Sequence, residues 1–207
     1  MTRKRIPETI FDRLLAIANT LSRGAMWVAG GLTLMSAFYI SIDVIIRKAF
    51  NMSLGGSDEL SGYAFAISIS WALSFATLQR ANIRIDTFYQ FLSVRVSALL
   101  DFVSLVSLGV FIVYLTRYAL EVAETSWALD SAANSTLATP LWIPQYLWAA
   151  GFLWLCVVLA IMLARSSIAL VTGDLRTVNA IAGIISAEDE ALGEAEAGKR
   201  LIHGEPS

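Results

Sequence analysis

From Leu60 to Leu78 the chain reads LSGYAFAISISWALSFATL, 19 residues without a charge, closed off by Asp58 and Glu59 before it and Arg80 and Arg84 after it. About that many helical residues cross ~30 Å of hydrocarbon. Large side chains (Tyr63, Phe65, Ile67, Ile69, Trp71, Leu73, Phe75) alternate with small ones, which by itself is a strand pattern. A lone strand in lipid would leave its backbone N–H and C=O groups unpaired, so the helix is the reading that survives. Wound as a helix, the small residues fall on two lines, Gly62, Ala66, Ser70, Ser74 and Ala64, Ser68, Ala72, Ala76. The lines lie about 200° apart, so neighbours can approach closely on both sides. The segment is expected to be the centrepiece of the fold.

Three more stretches have the same character. With the first they give spans at about 24–46, 60–78, 96–116 and 144–164. Hydrophobic residues make up 57% of the 207 and mean hydropathy is +0.64, outside the range of soluble domains. The fold expected is an all-α integral membrane protein with four transmembrane helices and two interfacial amphipathic helices. Residues 1–23 form the first of these, a basic arm in which Ile10, Phe11, Leu14, Leu15, Ala18 and Leu21 recur at helical spacing. The run from Gly24 is too long for the apolar core of a signal peptide and has no small-residue cleavage site before its charged end, so it is expected to be retained. The second interfacial helix is central, over 82–95; residues 24–165 form the transmembrane domain and 166–207 an acidic tail.

Charge marks the boundaries. Asp43 and Arg47 stand one helical turn apart at the end of the first span, placed to neutralise each other locally. Asp58 and Glu59 suit the positive end of the second helix dipole, and Arg80 and Arg84 its negative end. Asp101 sits just inside the third span. Residues 118–140 read as the longest loop, and Trp148 and Trp154 as border aromatics of the fourth span. Of the 15 Lys and Arg residues, 12 fall on the side of the two termini and 3 on the other, so both termini are expected in the cytoplasm.

Little here is equipped for chemistry. His203 is the only histidine and Cys156 the only cysteine, too few ligands for a bis-histidine haem or a zinc cluster. No GxSxG, Walker loop, CxxC or HExxH occurs, so no enzyme, catalytic residue, metal or cofactor is expected. A net charge of −2 without a basic patch argues against nucleic acid. The span centres lack the ionisable residues and matched broken helices of a carrier, and no substrate-binding residue is assigned. Such a chain reads as the partner of something that moves a solute.

The layout resembles the small membrane subunit (DctQ-like) of tripartite ATP-independent periplasmic (TRAP) transporters. The likeness is sharpest over some forty residues: Arg47, Phe50 and Asn51, then Glu59 and Leu60, then the Arg-x-x-Ile-x-Ile-Asp pattern at Arg80, Ile83, Ile85 and Asp86. Family members often carry a histidine where this chain has Asn82. The resemblance implies a non-catalytic scaffold in the bacterial inner membrane. It would bind a large elevator-type subunit that takes up an organic acid with sodium, the acid being captured by a periplasmic binding protein. Sodium would bind the large subunit. It further implies a partner or lipid interface at Arg47, Glu59, Ala64, Ser68, Ala72, Ala76, Arg80, Arg84 and Asp86. Two other classes share parts of the layout: an independent small transporter or channel, including the small subunit of tripartite tricarboxylate transporters, and the membrane anchor of a redox enzyme.

Overall fold

The structure is a computed structural model that describes residues 10–80, 94–135 and 137–172. Four helices occupy them: α1 (Ile10–Phe50), α2 (Ser57–Leu78), α3 (Val94–Ala128) and α4 (Trp142–Val171). Each is long and apolar enough to cross a membrane, so the chain is an all-α, four-helix membrane protein. Among the described residues there is no strand, only an isolated bridge between Ala132 and Pro140. The expected interfacial helix at 82–95 lies almost wholly outside the described residues, and Arg84 and Asp86 lie outside them entirely.

Helix ends differ from the expected spans because backbone chemistry, not charge, stops a helix. Residues 10–23 continue without a break into the first span, giving α1 41 residues in place of a separate arm and span. At ~1.5 Å per residue α1 is roughly 62 Å long, about twice the hydrocarbon thickness, so it leans or projects beyond it. It ends where Asn51 turns left-handed (φ 52°) and donates its N–H to Arg47 O at 3.1 Å. α3 runs on through the expected loop to Ala128, since Arg117–Ala128 contains good helix formers and neither glycine nor proline. Its buried positions, Ala98, Asp101, Leu105, Gly109, Ile112, Thr116, Ala119, Ala123 and Ser126, keep a three-and-four spacing straight across that boundary. The expected start of the tail, at 166, falls inside α4.

The packing order follows from cross-helix contacts. Asp12 pairs with Arg165 and Ser22 with Trp154, so α1 runs antiparallel to α4. Ser68 meets Ala29 and Gln79 meets Asn19, so α1 is antiparallel to α2 as well. Ser70 abuts Gly151 and Leu73 packs near Phe152, which makes α2 and α4 parallel. α3 lies antiparallel on α4, from Ala98 beside Ala169 to Trp127 against Trp142.

The central helix is α4 and not the second span: α4 packs on α1, α2 and α3, whereas α3 makes extensive contact with α4 alone. Composition accounts for this. Trp142–Ala164 has no charge, and Leu155, Val158 and Leu159 are at most 2% exposed. α2 fills the gap between α1 and α4 through its small residues. A Cβ on Gly151 would lie 2.9 Å from the Ser70 carbonyl carbon, so the two backbones meet at a distance only glycine permits.

Candidate partner interface and the two fastened ends

The turn between α1 and α2 is built around one carboxylate. Asp43 is 1% exposed and accepts hydrogen bonds from Arg47 Nη2 (2.5 Å), the Leu54 N–H (2.7 Å), Ser57 Oγ (2.8 Å) and Ser53 Oγ (3.0 Å). Tyr39 adds a hydroxyl bond to Gly55 O at 3.2 Å. Arg47 itself remains 55% exposed, its guanidinium reaching over the carboxylate from one turn further along α1. Charge-assisted bonds of this kind are the strong ones, and they fix where α2 begins. Gly55 and Gly56 take the left-handed φ values, 75° and 69°, that the tight entry requires.

A second carboxylate ties that turn to the loop between α3 and α4. Glu59 accepts from Tyr63 Oη at 3.0 Å, one turn along α2, and from Ser135 Oγ across the gap. The side chain and backbone of Thr139 also stand near the Glu59 carboxylate. Ser135 Oγ in turn accepts the N–H groups of Leu137 and Ala138, and the Leu137 side chain fills the space beside Gly56. Trp142 stacks edge-on with Trp127 at 4.6 Å, closing the same end.

The opposite end is fastened more lightly. Arg165 Nε donates to Asp12 Oδ1 at 2.9 Å, joining α4 to α1. Trp154 Nε1 donates to Ser22 Oγ at 3.0 Å about three turns inward. Sequence reading missed the Asp12–Arg165 pair, because partners 153 residues apart leave no local pattern. The only cue was a charge in an otherwise apolar helical stripe.

The two small-residue lines of α2 are used within the chain. Ser68, buried, donates to Ala29 O of α1 at 2.9 Å. Ser70 and Ser74, fully buried, return their hydroxyl protons to Ile67 O and Trp71 O, and Ser70 sets its Oγ, Cβ and backbone against Gly151 of α4. Ala64, Ala72 and Ala76, on the Ser68 line, are half-buried. Arg80 is half-buried just past the end of α2, with φ 57°.

One surface among the described residues sets charge beside apolar side chains. A groove of about 630 Å³ runs between α3 and α4, lined on the α3 side by Arg117, Glu121 and Glu124 and on the α4 side by Leu153 and Cys156. All three charged residues are exposed. Leu153 is the midpoint of the uncharged stretch Trp142–Ala164.

Among the described residues, then, a bundle is fastened at both ends and one charged face of α3 meets no side chain that pairs with it. A family model described as "Tripartite ATP-independent periplasmic transporters, DctQ component" matches residues 36–168, which is more than half of the chain. No curated protein and no solved structure matches it. The matched segment begins in the C-terminal half of α1 and ends near the close of α4, taking in both carboxylate-centred turns and the α3–α4 groove, and the chain belongs to the DctQ family, the small membrane component of TRAP transporters.

Proposed function

We propose that this chain is the non-catalytic scaffold of a TRAP-type secondary transporter, steadying a large membrane subunit that carries the solute and sodium sites. A periplasmic binding protein delivers an organic acid to that subunit, and both termini of the small chain lie in the cytoplasm. Family membership supports the assembly. The observation that carries the scaffold role is the fastening of α1, α2 and α4 to one another at both ends, by Asp43 and Glu59 at one and by Asp12 with Arg165 at the other. A scaffold must resist the force of a moving neighbour, and packed helices with satisfied polar contacts deform little.

The exposed guanidinium of Arg47 and, by their place in the sequence, Arg80, Arg84 and Asp86 are assigned to partner or phospholipid contacts at the two membrane boundaries. Ala64, Ala72 and Ala76 extend the Ser68 ridge toward the partner where α1 does not cover it. The chain needs no cofactor of its own. Deleting it while the large subunit and binding protein are still produced tests the proposal: uptake should be lost, and uptake at full rate would refute it.

A further inference from the structure

The groove between α3 and α4 sets charge beside the apolar middle of a membrane helix. Thr116 and Cys156 touch at 3.3 Å, and Ala119 shares a packed cluster with Ala149, Phe152 and Leu73. Arg117 lies between these two positions on α3, with Glu121 and Glu124 one and two turns further along. By the register that sets Thr116 on Cys156 and Trp127 on Trp142, Arg117 stands level with the middle of the uncharged stretch of α4, and Glu121 and Glu124 lie successively nearer its Trp142 end. Among the described residues, no ion pair or hydrogen bond engages the three side chains. Acyl chains offer a guanidinium at the middle of that stretch nothing to bond, and the two glutamates continue a row of charge along the same face toward the Trp142 end.

We propose that the α3–α4 groove seats a transmembrane helix of the large subunit, with basic groups facing Glu121 and Glu124 and an acceptor facing Arg117. The assignment rests on the scaffold reading and specifies which side of the scaffold meets the partner. Charge argues against a second copy of this chain as the occupant. A two-fold axis along the membrane normal keeps every residue at its own depth, so Glu121 would meet Glu121 and Arg117 would meet Arg117. A different chain can offer the complementary order, and desolvated complementary pairs fix register and orientation. Leu153, 52% exposed in the groove floor, and Val113, 58% exposed at its rim, supply the apolar contact around the charges.

The test uses the chain co-produced with its large subunit in membranes. A photo-crosslinking amino acid replaces Leu153 in the groove or, as a control, Leu34, which is 63% exposed on α1. In parallel, Glu121→Lys/Glu124→Lys and Glu121→Gln/Glu124→Gln variants are tested for the large subunit they retain on purification. The probe at 153 should crosslink to the large subunit and the probe at 34 should not. The Lys variant should retain about ten-fold less partner, the Gln variant an intermediate amount. If the Lys variant fails to insert, the Gln variant and the crosslinks decide. Full retention by the Gln variant with no crosslink at 153, or crosslinking of 153 only to another copy of this chain, would overturn the seat while leaving the scaffold reading intact. Failure of the unaltered chain to retain any large subunit would instead overturn that reading, and the seat with it.

Discussion

Two pairs of carboxylates in this protein have opposite surroundings. Asp43 and Glu59 are enclosed by hydroxyls, a backbone N–H and a guanidinium, all from the same chain. Glu121 and Glu124 are exposed on α3 beside the apolar middle of α4, with no ion pair among the described residues. A carboxylate held by donors of its own chain, as are buried Asp43 and half-buried Glu59, belongs to the fold, because removing it strands those donors. An exposed one lining an apolar groove points outward, to the neighbour proposed to complete it. The first pair explains how the bundle holds its shape and the second where that shape is used.

The comparison can be broken most forcefully at Asp43. Asp43→Ala removes the common acceptor of Ser53, Leu54, Ser57 and Arg47, and should give the largest fall in melting temperature in detergent of any substitution named here. A change no larger than that of a surface substitution would show that the turn does not depend on it. Gly151→Val should come next, at about 1–3 kcal/mol, because its side chain forces α2 and α4 apart; the same thermal assay reads it. Asp12→Asn should cost under about 1 kcal/mol, since Asp12 is 38% exposed and its ion pair with Arg165 is partly screened. Ser68→Ala should cost about 0.6 kcal/mol, the usual worth of a hydrogen bond between membrane helices. Glu121→Gln/Glu124→Gln should leave the melting temperature of the isolated chain unchanged. A loss matching that of Asp43→Ala would erase the distinction between the two pairs.

Much of the fold was legible in the sequence. Uncharged runs of helical length located all four spans, and the two lines of small residues on the second span identified positions such as Ser68 and Ser70 that meet α1 and α4. The i, i+4 spacing placed Asp43 within reach of Arg47. What was not legible depends on contacts distant in sequence or on how helices end. The helices run on through Arg23 and Arg117, where the expected spans end, since a charged side chain does not interrupt backbone hydrogen bonding and a span's end need not be a helix's end. The continued three-and-four spacing of Ala119, Ala123 and Ser126 was the available signal that α3 extends. Ser53 and Ser57 reach Asp43, and Ser135 reaches Glu59, only once the turns have closed. That α4 outranks α2 as the centre reflects which helix the other three bury, which no single segment records.

The scaffold role is tested most directly by reconstitution. Sodium-driven solute uptake is measured in proteoliposomes containing the large subunit alone, this chain alone, or both, with the loaded binding protein outside. Flux should appear only when both chains are present. Transport by this chain alone, or undiminished transport by the large subunit without it, would contradict the account.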